Sequence, residues 1–225
     1  MIIAVTGLLR EARILEGPGV TTIAGGGDVA RLEAALEAAV PGAVGIISIG
    51  LGGALAPGLE PGDWVVADRA LEFRTNPAWA QRLMERLPGA RLGAILGSDV
   101  IVADPRAKRA LFEATGALAV DMESHIAARV AQRHGLPFAV ARVISDGVAR
   151  ALPRAAQAGM RPDGGMDVLA VLKSLAGDPR QLPALIRTGL EAETAFRALL
   201  RGRQLLGPTL QALGPDVGEL LVDMG

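Results

Sequence analysis

Apolar residues along this chain fall into two alternating rhythms. Short, β-branched runs at 2–6, 20–24, 44–49, 64–67, 92–96, 118–120 and 138–144 read as strands, and most intervals between them repeat at helical spacing. Asp28 is placed to cap a helix reaching Leu36, Pro77 opens one running to Leu87, and Asp104-Pro105 opens another through Phe112. Behind Glu123, the residues Ile126, Ala127, Val130 and Ala131 recur at helical spacing, and His134-Gly135 is a stop signal before the strand that follows Pro137. Such alternation predicts a single α/β domain of three layers, α/β/α, with a central twisted mixed sheet. After Ser145 the strand patterns cease. The stretch 151–167 is rich in Pro, Gly and Ala and suits a mobile loop. Helices are expected at 167–175 and 182–200, the second with a stripe of Leu185, Ile186, Leu190, Phe196 and Leu200. The domain is expected to span 1–206, leaving 207–225 as a tail without a clear pattern.

Composition narrows the class. The chain of 225 residues is long enough for one sizeable core. With 50% hydrophobic and 21% charged residues and a net charge of -1, it is neither disordered nor built to hold a polyanion, so no nucleic-acid partner is expected. The absence of cysteine excludes thiolate chemistry, disulfides and cysteine metal sites, and two histidines argue against a zinc centre, so neither metal nor cofactor is expected. The N-terminus enters a strand at once without a basic n-region, and charge, Gly or Pro breaks every apolar run, so a cytoplasmic protein without a spanning segment is expected. The mean hydropathy of +0.35 is nevertheless high. An Ala- and Leu-rich composition accounts for it; a greasy groove or a peripheral membrane habit is the sharper reading.

Candidate chemistry concentrates at strand ends. Gly50-Leu51-Gly52-Gly53 follows one predicted strand and Gly25-Gly26-Gly27-Asp28 precedes a helix; each lets a ligand approach the backbone, although a tight turn explains either one alone. Neither has the Lys of a Walker A loop, and the first strand lacks the dinucleotide fingerprint, which argues against a nucleotide-cofactor dehydrogenase. Three acids, Glu11, Glu123 and Asp146, follow or end strands. Singly, each reads as a cap, Glu123 at a helix N-terminus and Asp146 before Gly147; together, beside two glycine clusters, they point to a site. The segments 120–124 and 142–146 are joined by one helix, one turn and one strand, which predicts both acids at the carboxyl ends of neighbouring parallel strands. Arg142, inside an apolar strand, must pair with Asp121 or Glu11 or face a cavity holding an anion or water. His125 reads as solvated or structural, and His134 as a dipole partner at a helix end.

Together these residues resemble the purine nucleoside phosphorylase superfamily, and within it the methylthioadenosine/S-adenosylhomocysteine nucleosidases. The resemblance is carried by Gly7-Leu8-Leu9-Arg10-Glu11, by the stretch 50–57 with Pro61-Gly62-Asp63 behind it, by Val120-Asp121-Met122-Glu123 and by Arg142-Val143-Ile144-Ser145-Asp146. Gly97-Ser98-Asp99 ahead of Pro105-Arg106-Ala107-Lys108, together with 119–125 and 181–185, is similar to the hopanoid-associated phosphorylases, implicated in removing adenine from the lipid nucleoside adenosylhopane.

The resemblance implies the fold of that superfamily and a set of roles. Asp146 would protonate purine N7, supported by Ser145. Glu123 would grip the ribose hydroxyls with Met122 beneath the sugar, and Ile101 and Val102 would contact the base. Glu11 would orient or deprotonate a water, and Arg142, with Gly50 and Gly52, would hold that water or a phosphate. Leu51 stands where nucleosidases place a Ser, Ser48 stands where phosphorylases carry an Arg, and Glu11 aligns with the family base after a one-residue shift; the first two changes leave a phosphate dianion poorly met. The resemblance further implies no cofactor beyond inorganic phosphate as an optional co-substrate, a homodimer, and a small nucleoside substrate linked to lipid, handled at the inner membrane surface. The apolar 5′ group would lie between the stretch 151–167 and the final helix. Two other readings fit the same residues: a methylthioadenosine or purine nucleoside salvage enzyme, and a non-catalytic nucleoside or hopanoid binder.

Overall fold

The computed structural model describes residues 1–159, 161, 163–210 and 213. Its strands are β1 (Ile2–Thr6), β2 (Val20–Ala24), β3 (Gly45–Ala54), β4 (Trp64–Ala70), β5 (Phe73–Arg74), β6 (Arg91–Gly97), β7 (Ala119–Asp121) and β8 (Phe138–Asp146). Between and after them lie α1 (Leu9–Leu15), α2 (Val29–Ala39), α3 (Pro77–Arg86), α4 (Pro105–Thr115), α5 (Ser124–Arg133), α6 (Arg154–Ala158), α7 (Val168–Gly177) and α8 (Leu182–Leu206). The expected α/β architecture with a mixed sheet is present. The order is β2-β1-β3-β7-β6-β4-β5, and β8 pairs with both β3 and β4, so that β3, β7, β6, β4 and β8 close on themselves.

The local signals explain most boundaries. Asp28, Asn76, Asp104 and Asp167 each accept a backbone N–H in the first turn of the helix they precede. Gly116, at a φ of +67, ends α4 in the left-handed region. One apolar cluster of Ile3, Val5, Leu32, Leu36, Ile46, Val140 and Ile144 fills one face of the sheet beneath α2 and α5. On the other face Ile47, Ile49, Val66, Val143 and Leu199 pack against α3 and α8.

Several expectations are corrected. The segment Gly50-Leu51-Gly52-Gly53 is not a loop after a strand: β3 continues through it, pairing Gly50 with Arg142 and Gly53 with Asp146, with a register shift between Gly52 and Gly53. Strands β7 and β8 are not neighbouring parallel strands either. They both pair with β3, β7 antiparallel and β8 parallel, so the two acid-bearing segments approach β3 from opposite directions. The stretch 151–167 contains α6 and is tied down, with Leu152 N–H donating to Ala103 O (3.0 Å) and Leu9 N–H to Gly164 O (3.0 Å). Helix α1 was not expected. In α8 the buried face is Ala195, Phe196, Ala198, Leu199, Gly202 and Leu206, whereas Ile186, Leu190 and Leu200 of the predicted stripe are exposed. Beyond Leu206, Leu210 and Leu213 are buried in the core; Gln211, Ala212 and 214–225 of the expected tail lie outside the described residues.

Candidate active site

Two buried polar groups form around the glycine segment of β3. The first is built by α1, β7 and β8. Glu11, in the first turn of α1, accepts the Leu8 N–H and the Leu51 N–H, both at 2.7 Å. A Cβ on Gly50 would lie 3.0 Å from its carboxyl carbon, so the absent side chain of Gly50 is what admits Glu11. Arg142 is fully buried and every nitrogen of its guanidinium is engaged: Nε donates to Asp121 at 2.8 Å, one terminal nitrogen to Ser48 Oγ at 2.6 Å and the other to the Ala141 carbonyl at 3.2 Å. Of its two proposed partners it takes Asp121, and Ser48 is its second side-chain partner.

Asp121 also resolves the ambiguity over Glu123. Its Oδ1 accepts the N–H groups of Glu123 (3.0 Å) and Ser124 (2.9 Å), so Asp121 caps α5 and Glu123 is released from that task. The Glu123 carboxyl instead lies 3.7 Å from Arg142 and against Gly7 and Gly25, where side chains would collide with it. Three carboxyls therefore share one guanidinium. Burial, then the charge of Asp121, push Glu123 up to about 8 against the opposing pull of Arg142. Burial likewise raises Glu11, resisted by the Leu51 and Leu8 N–H groups and by Arg142.

The second group surrounds Asp146 at the end of β8. Ser145 Oγ lies 2.7 Å from Asp146 Oδ1 and 3.2 Å from the Gly52 carbonyl. The other carboxylate oxygen is paired with the ammonium of Lys108, which is fully buried although it sits on an otherwise exposed stretch of α4. Sequence reasoning missed Lys108. Three cations in the run Arg106-Ala107-Lys108-Arg109 look like a solvated helix face, and only the packing of α4 shows which of them turns inward.

A cleft of about 510 Å³ is lined by Gly26, Gly27, Asp28, Val29, Ala30, Ile101, Met122 and Gln157; Glu11, Glu123, Arg142, Ser145 and Asp146 are not in its lining. Of the candidate residues, it brings together Met122, adjacent in sequence to Glu123, and Ile101. Val102 turns away and packs against the small cluster of Leu55, Leu96 and Val120. The space beside Gly50 and Gly52 is occupied by Glu11 and Arg142. His125 is buried, not solvated, with Nε2 2.8 Å from Asp99, and His134 at the end of α5 pairs with Glu37. A larger cleft of about 590 Å³, lined by 72–76, 128, 131, 132 and 135–138, contains none of the candidate residues. Among the described residues no acid or histidine cluster is arranged to hold a metal.

The fold and the family match together define an enzyme of the nucleoside phosphorylase and nucleosidase class. The chain belongs to the phosphorylase superfamily, whose model matches residues 15–176. It resembles the solved 5′-methylthioadenosine/S-adenosylhomocysteine nucleosidase of Helicobacter pylori in complex with butyl-thio-DADMe-Immucillin-A, with a TM-score of 0.65 at 14% identity over 93% of this chain and 97% of that one. The corresponding nucleosidase of S. pneumoniae with the transition-state inhibitor MT-ImmA gives 0.63 at 20% identity, over 94% and 99%. The futalosine hydrolase of Helicobacter pylori gives 0.57 at 18%, over 79% and 98%. No curated protein matches the chain.

Proposed function

We propose that this chain hydrolyses the N-glycosidic bond of an adenine nucleoside bearing an apolar 5′ substituent, with adenosylhopane as the substrate. The reading rests on one observation above the rest: buried carboxyls meet the glycine segment of β3 at both ends, Glu11 against Gly50 and Asp146, beside a cation, against Gly53, while Glu123 lies 3.7 Å from Arg142, which pairs with that segment. In this reaction the electron pair of the C1′–N9 bond leaves with the purine while the ribose becomes an oxocarbenium ion. Asp146 protonates N7 as charge builds there, a contribution of about 10²- to 10⁴-fold for general acid catalysis. Glu123 accepts the ribose hydroxyls, Met122 underlies the sugar, Ile101 and the backbone at Val102 belong to the base side, and Glu11 orients the attacking water.

Water is the nucleophile in this reading, not phosphate. The guanidinium of Arg142 is spent on Asp121, Ser48 and a carbonyl, and three carboxyls crowd it, so a phosphate dianion would meet repulsion without a free donor. The apolar 5′ group is supported by the surface near the cleft. Helix α6 carries Gln157 into the cleft and packs on α7, which has no buried residue; Leu169 is 75% exposed, and Leu172, Ile186 and Leu190 are exposed with it. An apolar face of this kind suits a lipid substituent and contact with a membrane surface. No helix among the described residues is long and apolar enough to cross a membrane.

Mass spectrometry of the products from adenosylhopane, and separately from 5′-methylthioadenosine, with and without inorganic phosphate, tests this function. Adenine and the free 5′-substituted ribose are expected from adenosylhopane, at a rate indifferent to phosphate. A ribose 1-phosphate product would overturn hydrolysis, preference for 5′-methylthioadenosine would overturn the lipid substrate, and no adenine from either would overturn the enzyme.

A further inference from the structure

We infer that Lys108 is a positioning residue for bond cleavage: it pins the carboxylate of Asp146 and supplies, through it, the proton that leaves with the purine. The inference rests on the hydrolase reading above. Lys108 Nζ has three protons and three partners, all in one short segment: the Asp146 carboxylate, the Gly147 carbonyl at 3.2 Å and the Arg150 carbonyl at 3.3 Å. A lysine fully satisfied at one strand end fixes where that strand end points. The exposures set the order of events. Asp146 retains 5% of its surface and Lys108 none, so a ligand touches the carboxylate and not the ammonium.

A purely structural ion pair is a poor account of this arrangement. Withdrawing two charges from water costs several kcal/mol per ion, and a hydrophobic pair of similar volume is often as stable or more so. Ser145 serves one oxygen of the Asp146 carboxylate and the ammonium serves the other. Chemistry needs that ammonium. As the C1′–N9 bond breaks and its electron pair moves onto the purine, one proton passes from Lys108 Nζ to Asp146 and from Asp146 to N7. The neutral amine that results is held by the two carbonyls. The attacking water loses one proton on joining C1′, and that equivalent, returned through solvent, restores the ammonium.

The test compares two leaving groups in the full-length protein. Adenine must be protonated to depart, whereas 4-nitrophenolate departs unaided, so 5′-butylthioadenosine and the 4-nitrophenyl riboside carrying the same 5′-butylthio group are assayed side by side. Lys108→Met should lower kcat for adenine release by about 10²-fold or more and for nitrophenolate release by less than about threefold, because a proton donor acts on one leaving group only. Equal loss on both substrates, or no loss on either, would overturn the inference. Should Lys108→Met fail to fold, Asp146→Asn/Lys108→Met, which leaves no unpaired charge in the core, is compared with Asp146→Asn. A difference of less than about threefold is expected if lysine acts through the aspartate, and a further large loss contradicts it. Wild-type protein that releases nitrophenolate but no adenine sinks the function proposed above, and is distinguishable from every result that concerns Lys108 alone.

Discussion

The two ends of the site handle buried charge in opposite ways. At the end of β8, Asp146 has an ammonium of its own and a hydroxyl on its other oxygen. Around Arg142, by contrast, Asp121, Glu123 and Glu11 draw on a single guanidinium, and Glu123 and Glu11 are both left with an elevated proton affinity. A reaction that separates charge needs both. In the proposed reaction the leaving purine becomes anionic and falls to the corner that holds a transferable proton. In the same proposal the ribosyl cation and its hydroxyls fall to the corner with surplus acid, where ligand hydroxyls can supply the donors the protein withholds.

Breaking the paired corner gives the larger effect. Asp146→Asn should lower adenine release by about 10²- to 10⁴-fold while nucleoside binding by calorimetry changes only a few-fold. The same change leaves Lys108 buried without its counter-charge, so the melting temperature should fall; loss of one partner of a buried pair costs about 3–5 kcal/mol. Unchanged turnover in this variant would remove Asp146 from the chemistry.

Breaking the acid-rich corner should move stability the other way. The Glu123 carboxyl rises from about 4.5 to about 8 on folding, so its contribution to stability is fully present below 4.5 and is lost as pH climbs through 8. Glu123→Gln escapes that loss. The variant should therefore gain on wild type between pH 4.5 and pH 9, by on the order of a few kcal/mol, or roughly 5–10 °C in melting temperature for a domain of this size. It should also weaken substrate binding. A melting-temperature difference that stays flat across this pH range would show that Glu123 is not held neutral by burial and the charge of Asp121.

How far the sequence discloses this molecule depends on whether a signal is local. Strands β1 and β2 coincide with their predicted runs, and the helices capped by Asp28, Asn76 and Asp104 begin where capping chemistry puts them. The path of β3 through Gly50–Gly53 is not local. Glycine there reads as a turn, and becomes strand because β8 supplies the backbone partners while Glu11 and Arg142 fill the room its side chains leave. The acids Glu11, Glu123 and Asp146 are legible from their place after strand patterns. What cannot be read is which acid caps what: Asp121 takes the helix end, and the inward turn of Lys108 depends on how α4 seats against the end of β8. The apolar stripe expected on α8 fails for the same reason, since the helix buries its alanines and Phe196 against the sheet and leaves Ile186 and Leu190 outside.

A crystal structure with a bound 5′-alkylthio adenosine transition-state analogue tests the central claim most directly. The account predicts the base nitrogen that corresponds to N7 within about 3 Å of Asp146, with the sugar hydroxyls on Glu123 and the 5′ chain leading toward α6 and α7. A ligand seated elsewhere, with Asp146 and Glu123 on neither its base nor its sugar, would contradict it.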